Sequence, residues 1–148
     1  MARNKFELEQ VLKYRVEMER MRSQEFATAK RDLERAADML AIQEMQLEFT
    51  AKEFVEKHGE LENIDDMRMY ANFLSRKRDE IVNQKEQIEI LGSEMNYRRE
   101  ILLDASKDKK VLESLKEKKA NQFRQGMELK ERTFMDEISI QKKTGSAR

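Results

Sequence analysis

Few residues of this sequence combine the types and spacing that catalysis or metal binding requires. The chain has one histidine, His58, and no cysteine. Asp65 and Asp66 are the acidic residues near His58 in the sequence. A metal site there would have one imidazole, these two carboxylates and no thiolate as its ligands. A solvated histidine in a turn is the simpler interpretation. We therefore propose no metal site.

The sequence motifs of enzymes are also missing. The chain has no glycine-rich phosphate loop, no nucleophile elbow and no pair of histidines. An open arrangement of long helices offers no cavity in which the pKa of a side chain could be strongly shifted. We expect a protein that is not an enzyme and that uses no cofactor.

Lysines are concentrated in the C-terminal third of the chain. From Asp104 onward there are 12 basic and 8 acidic residues, although the whole chain has 30 of each. Such a stretch could bind nucleic acid, or it could simply be the solvated face of a helix. Zero net charge and the glutamates between the lysines make phosphate neutralisation inefficient. We expect no nucleic-acid partner.

The elements that position these residues follow from a seven-residue spacing of large apolar side chains. The two series are Phe26, Leu33, Leu40, Leu47, Phe54 and Leu61, then Met67, Leu74, Ile81, Ile88, Met95 and Leu102. The first series would continue at 68 and the second begins at 67, a shift of roughly 100° around a helix. Gly59 and Asn63 supply turn and capping chemistry at this break. The spacing therefore predicts two helices joined by a turn.

Composition favours the same fold. The chain has no proline, and 41% of its residues are charged, as is typical of long solvated helices. Each helix has an apolar stripe that it cannot bury alone, and a short connection lets the two stripes bury against each other. We predict an all-α fold, a single long antiparallel two-helix coiled-coil hairpin. Its parts are helix one at about 5–58, a turn at about 59–65, helix two at about 66–140 and a disordered tail at 141–148. The alternative is a structural scaffold that forms a parallel homodimeric coiled coil.

We call the apolar stripe along which the two helices should meet the seam. On the first helix, the seam alternates large residues with small or polar ones. The latter are Ala29, Ala36, Gln43 and Thr50. Large-against-small layers allow close helix approach, and the polar members help to fix the register. In a hairpin hinged near 62, residue i should face residue ~125 − i. Arg15, Glu19 and Arg22 occupy seam positions where leucine would be expected, so we expect weak pairing there.

Two further sets of apolar residues lie outside the seam. Met39, Ile42, Met45 and Phe49 form a line beside it, with Met69 and Phe73 as their neighbours across the turn. They either widen the core or form a partly exposed docking face. The second set is Phe123, Met127, Phe134 and Ile138. Because helix two is longer than helix one, these residues have no partner helix within a monomer.

Four stretches of the chain resemble the FliJ family of flagellar type III export proteins. They keep the family order and cover nearly the whole length. They are Phe6-x-Leu8-x-x-Val11-Leu12-x-x-Arg15, Tyr70-x-x-Phe73-Leu74 with Ile81, Ala105-Ser106-x-x-Lys109-Lys110-x-Leu112-Glu113-x-Leu115-x-Glu117-Lys118, and Asp136-Glu137. The third stretch is the most specific of the four.

The resemblance implies a non-enzymatic export component whose hairpin is similar to the central stalk of rotary ATPases. Its paired termini would lie in the ring of a hexameric export ATPase, and it would also bind the membrane export gate and export chaperones. On this basis, the expected contacts with the ATPase ring are Lys107, Lys109, Lys110, Lys116, Lys118, Lys119 and Phe123. The expected contacts with the gate are Ile42, Phe49 and Phe73.

Location and oligomeric state are expectations of the same kind. The absence of cysteine suits a reducing compartment, and the longest apolar run, Met39 to Ile42, is far shorter than a membrane span of roughly 18 residues. We expect a cytoplasmic protein that is monomeric when free. The resemblance adds peripheral association with the inner face of the cell membrane at the flagellar base.

Overall fold

The chain folds into two long helices. A computed structural model describes residues 5–57, 59–60 and 63–146. Helix α1 is Glu9–Lys57 and helix α2 is Ile64–Ser146. They run antiparallel and pack against each other, and the described residues contain no strand. The predicted all-α helical hairpin is therefore confirmed.

The helix ends near the turn differ slightly from the predicted bounds. Helix α2 begins at Ile64, because the Asn63 side chain accepts a hydrogen bond from the Asp65 N–H at 3.0 Å and so caps the first turn. Asp65 and Asp66 in that first turn interact favourably with the positive end of the helix dipole. His58 and Leu61, which the sequence placed in the turn, lie outside the described residues.

The outer ends of the helices also differ from prediction. Helix α1 begins at Glu9 rather than near 5, after a turn in which the Glu9 N–H donates to the Phe6 carbonyl at 3.2 Å. The disordered tail predicted for 141–148 is corrected over 141–146, where α2 continues to Ser146. Glutamine and lysine favour helix in this stretch, and no proline interrupts it. The Thr144 hydroxyl also donates to the Ile140 carbonyl at 3.0 Å.

Contacts along the helices divide the chain into two units. The first, called the terminal unit, combines the chain up to Arg20 with the chain from Asp104. The second, called the turn unit, is Met21–Leu103. Each unit contains part of both helices, packed on each other.

In the turn unit the core is the seam that the seven-residue spacing predicted. Leu74 and Ile81 are buried on α2, and the small residues Ala29 and Ala36 are buried on α1. The remaining large seam residues of the turn unit that the structure describes are half-buried. They are Phe26, Leu33, Leu40, Leu47, Phe54, Met67, Ile88, Met95 and Leu102. The burial of two small residues agrees with a seam in which small and large layers alternate.

The observed pairs agree with the predicted register. In the turn unit the Gln84 side chain donates to the Ala36 carbonyl at 2.9 Å, and the Tyr70 ring lies 5.5 Å from the Phe54 ring. The residue numbers of these pairs add to 120 and 124, close to the expected ~125. Gln84 is not among the polar residues expected to fix the register, but its side chain bonds across the two helices.

This register predicts a specific crosslink. A Leu47→Cys variant that also contains Leu74→Cys or Arg78→Cys should form a disulfide within one chain when it is oxidised at low concentration. The measurement is the electrophoretic mobility of the oxidised chain, and the native chain adds no competing cysteine. A Leu47→Cys chain with Ser93→Cys, far along α2, is the matched control. If only disulfides between chains formed, the hairpin in solution would be disproved.

Candidate functional site

Two of the six lysines expected to contact the ATPase ring are already paired within the chain. In the terminal unit, Lys109 Nζ lies 2.9 Å from Glu19 Oε1, and Lys116 Nζ lies 2.9 Å from Glu9 Oε2. Each pair joins α2 to α1. These two lysines therefore help to hold the hairpin itself.

Ion pairs join the two helices at two of the charged seam positions in this unit. Arg15 Nη1 lies 3.1 Å from Asp108 Oδ2 across the helices, and Glu19 has Lys109 as its partner. Phe6 and Leu12 add a buried apolar contact to the same unit. A long charged side chain at the seam can extend toward solvent, where its charged group pairs with an opposite charge on the other helix. The Arg15–Asp108 pair is largely exposed and contributes little to stability, so the expectation of weak pairing stays a prediction.

The Glu19–Lys109 pair shifts the pKa of both groups. The hydrogen bond from Lys109 holds the pKa of Glu19 below its ordinary value of 4.5, a second bond from Ser106 acts in the same direction, and burial opposes both. The same bond raises the pKa of Lys109 above 10.5. Because the folded pKa of Glu19 is lowered, its contribution to stability is complete above its ordinary pKa. That contribution is lost as the pH falls through the lower, folded value.

The other four lysines are exposed on α2. Lys107, Lys110, Lys118 and Lys119 take part in none of the ion pairs found among the described residues. Lys119 also lines a groove of about 530 Å³ beside Phe6, at the start of the chain. The expected set of six thus consists of two lysines that hold the hairpin and four whose ammonium groups face solvent.

Beyond Ala120, helix α2 has apolar side chains with little cover. Phe123 and Ile138 are half-buried, whereas Met127 and Phe134 are exposed by 39% and 62%. Further exposed apolar residues follow the same stretch, namely Leu129, Met135 and Ile140. The structure thus brings Phe123, the seventh expected ring contact, into the same unit as the lysines.

The three expected gate contacts lie in the turn unit. Ile42 is 50% exposed and Phe49 is 70% exposed, whereas Phe73 is half-buried. Phe73 lines an apolar groove of about 380 Å³ together with Met69 and Tyr70. The alternative that these side chains widen the core is wrong for Ile42 and Phe49, because most of their surface is open to solvent.

Neighbouring residues fix the shape of this groove. The Lys77 ammonium lies 5.6 Å from the centre of the Phe73 ring, and Tyr70 stacks obliquely on Phe54. The Tyr70 hydroxyl donates to Glu53 Oε1 at 3.2 Å. The groove wall is therefore held by aromatic and cation–π contacts, and Arg76 adds a positive charge to its lining.

The described residues suggest neither a metal centre nor a membrane span. They contain no group of three or more His, Cys, Asp or Glu side chains placed to hold a metal ion. None of their helices is both long enough and apolar enough to cross a bilayer.

Comparison with known proteins supplies the family. A family model described as Flagellar FliJ protein matches residues 4–148. The chain belongs to the FliJ family. It is thus a component of flagellar export, from a family that is not a known family of enzymes. No curated protein and no solved structure gives a significant match to the chain.

One polar contact of this FliJ-family chain could have been found from spacing alone. Glu53 and Lys57 are four residues apart on α1, and their side chains form a pair at 2.9 Å. The hydrogen bond from Lys57 lowers the pKa of Glu53, with a smaller contribution from the Tyr70 hydroxyl. The Tyr70 contact crosses between the helices, so no spacing rule within one helix could predict it.

The Glu19–Lys109 pair predicts a pH-dependent coupling. Glu19→Lys and Lys109→Glu should each lower the melting temperature by a few degrees, because each leaves like charges facing across the helices. The double exchange should recover much of the loss at about pH 7, and the loss caused by Lys109→Glu should shrink at low pH, where the two facing carboxylates are protonated and no longer repel each other. Thermal melting followed by circular dichroism measures both effects.

Glu48 and Lys52 provide the matched control for this experiment. They form an exposed pair within α1, and reversing either of them should change melting only slightly. Equal effects of the two sets of variants would show that the Glu19–Lys109 contact has no special role in holding the helices together.

Proposed function

We propose that the chain is a non-enzymatic stalk of the flagellar type III export apparatus. The terminal unit docks into the ring of the export ATPase, and the turn unit binds the membrane export gate. Export chaperones are its further partners. FliJ-family membership supports the role in export, and the unpaired lysines of the terminal unit are the observation on which the docking proposal depends.

Charge and apolar surface together support docking of the terminal unit. Its four unpaired lysines can form salt-dependent contacts with an acidic ring lining, and the exposed apolar residues after Ala120 offer area for burial. Many weak contacts of this kind bind a stalk without locking it in one position. A chain held by a few deeply buried anchors would be released much more slowly.

The gate proposal rests on the apolar surface of the turn unit. Exposed Phe49 and Ile42 lie on α1, and the groove at Phe73 offers a concave site for one large apolar side chain. Monomeric proteins rarely expose contiguous apolar surface without a partner. A gate segment that inserts an apolar residue into this groove would bury that surface.

A homodimeric coiled-coil scaffold is the less favoured function. Parallel dimerisation uses the same stripe of apolar residues that the hairpin already buries within one chain, including Leu74 and Ile81. Forming the dimer would therefore require the hairpin to open. Sedimentation of a monomer supports the stalk proposal, and sedimentation of a stable dimer supports the scaffold.

The docking proposal predicts a selective loss of ATPase stimulation. The double variant Lys118→Glu/Lys119→Glu should bind the ATPase ring roughly tenfold more weakly at low salt, and the difference should shrink as salt is raised. Lys109 and Lys116 are left unchanged, since reversing them would also break the pairs that hold the hairpin. Deleting 121–148 should reduce ring assembly and ATP hydrolysis as well, while gate binding is retained.

Lys30→Glu/Lys85→Glu is the matched control for this test. Both lysines are exposed, and they belong to the turn unit and not to the terminal unit. If this control and Lys118→Glu/Lys119→Glu reduced stimulation equally, only net charge would matter. Unchanged stimulation by Lys118→Glu/Lys119→Glu and by the deletion would rule out the terminal unit as the coupling site.

The gate proposal predicts a loss of binding without a loss of folding. Ile42→Ser and Phe49→Ser should weaken gate binding and leave melting nearly unchanged, because both side chains are exposed. Phe73→Ser should weaken binding too, with a larger effect on melting because Phe73 is half-buried. Binding assays with the isolated gate domain and thermal melting give the two measurements. Val82→Ser, at another exposed apolar residue of the turn unit, is the control.

A large fall in melting temperature for Phe49→Ser would identify Phe49 as a core residue and contradict its proposed role. Gate binding by all three variants at the native level would place the gate contact elsewhere on the chain.

A further inference from the structure

A second groove lies in the turn unit, well separated along the helices from the groove at Phe73. It measures about 470 Å³ and lies between residues 21–32 of α1 and residues 91–98 of α2. Its apolar lining consists of Met21, Ala29 and Leu91. Ala29 is buried and Met21 is 44% exposed, so the groove has an apolar floor with one pliable wall.

Acidic side chains surround this floor. Glu25 and Glu94 lie on opposite helices and are both bound by Arg98, at 3.3 and 2.9 Å. Asp32, at the α1 side of the groove, takes part in none of the ion pairs among the described residues. Arg22 also pairs with Glu25, at 3.0 Å, so two arginines offset the charge at one end of the groove. The carboxylate of Asp32 remains without an ion pair at the other end.

The surface of α2 extends this pattern. Ile90 and Tyr97 are 62% and 56% exposed, and their seven-residue spacing places them along one face of the helix. Glu86 and Glu94 stand four residues before and after Ile90, next to it on the helix surface. The guanidinium of Arg98, a residue that lines the groove, lies 5.7 Å from the centre of the Tyr97 ring. Apolar and acidic side chains therefore alternate beside the groove.

We propose that this groove and the adjoining α2 face dock a basic amphipathic helix of a partner protein. Apolar residues of such a helix would cover the floor at Ala29 and Leu91 and the exposed side chains of Ile90 and Tyr97. Its lysines or arginines would lie against Asp32 and Glu86, which take part in none of the ion pairs among the described residues. An acidic helix is repelled by the same carboxylates, and so is a nucleic-acid backbone. The site shares no lining residue with the groove at Phe73, so it is a separate docking surface.

Synthetic helices provide the probe. One peptide of about 18 residues has leucines along one face and lysines along the other, and its counterpart has glutamate in place of each lysine. We expect the full-length chain to bind the lysine peptide at least tenfold more tightly than the glutamate peptide in fluorescence anisotropy, with binding weakened by salt. A benzophenone in the leucine face should crosslink to residues of α1 between 21 and 32 or of α2 between 86 and 98.

Asp32→Lys and Asp38→Lys form the matched pair of variants. Both aspartates are exposed on α1, and both substitutions change the charge equally, but only Asp32 lines the groove. Asp32→Lys should weaken binding of the lysine peptide at least fivefold and strengthen binding of the glutamate peptide, while Asp38→Lys changes neither by more than twofold. Circular dichroism verifies that both variants fold.

Three results would overturn the proposal. The first is equal binding of the two peptides. The second is an equal effect of Asp32→Lys and Asp38→Lys, which would reveal diffuse attraction to net charge. The third is a concentration-dependent dimer in sedimentation that Asp32→Lys abolishes, because the groove would then be occupied by a second copy of the chain.

Discussion

Burial of one narrow apolar stripe against another is the interaction on which this structure depends. No described side chain is fully buried, and the buried core residues, such as Leu74 and Ile81, all lie where the two helices meet. An isolated helix is marginal in water, because its backbone hydrogen bonds barely offset the entropy lost on ordering. The paired parts of the two helices therefore persist because each covers the stripe of the other. Any change that separates the helices removes most of the burial available to the chain.

A thin core leaves most of the surface open, and this explains why the candidate sites are surfaces and not pockets enclosed by the fold. Phe49 and Tyr97 are more than half exposed without harm to packing, since neither lies at the seam. Charged residues have two uses in such a fold. Lys109 joins the helices through Glu19, whereas Lys118 on the same helix faces solvent. The first kind sets the stability of the hairpin, and the second kind is available to partners.

Polar groups at the seam limit how firmly the helices are held. Gln84 bonds to a carbonyl of the opposite helix, but the buried side-chain oxygen of Gln43 has no hydrogen-bond partner among the described residues. A buried polar atom without a partner costs free energy, so Gln43 lowers the stability of the hairpin. Ion pairs in the terminal unit add contacts that weaken with salt and acid. The stability of this hairpin should therefore depend on salt and pH more strongly than the stability of a hairpin whose seam contains only leucine.

The sequence by itself determined the fold class, the two helices, the position of the turn and the register, because the apolar spacing and its phase break depend only on helix geometry. Exposure of Ile42 and Phe49 was also open to prediction, since their positions lie outside the stripe. Only the tertiary structure decided which lysines are paired, because Lys109 and Glu19 are distant in the chain and meet only when the helices align. The groove beside Asp32 is likewise a product of two packed helices. Spacing within one helix predicts neither the lysine pairs nor the groove, because both depend on distances between side chains of different helices.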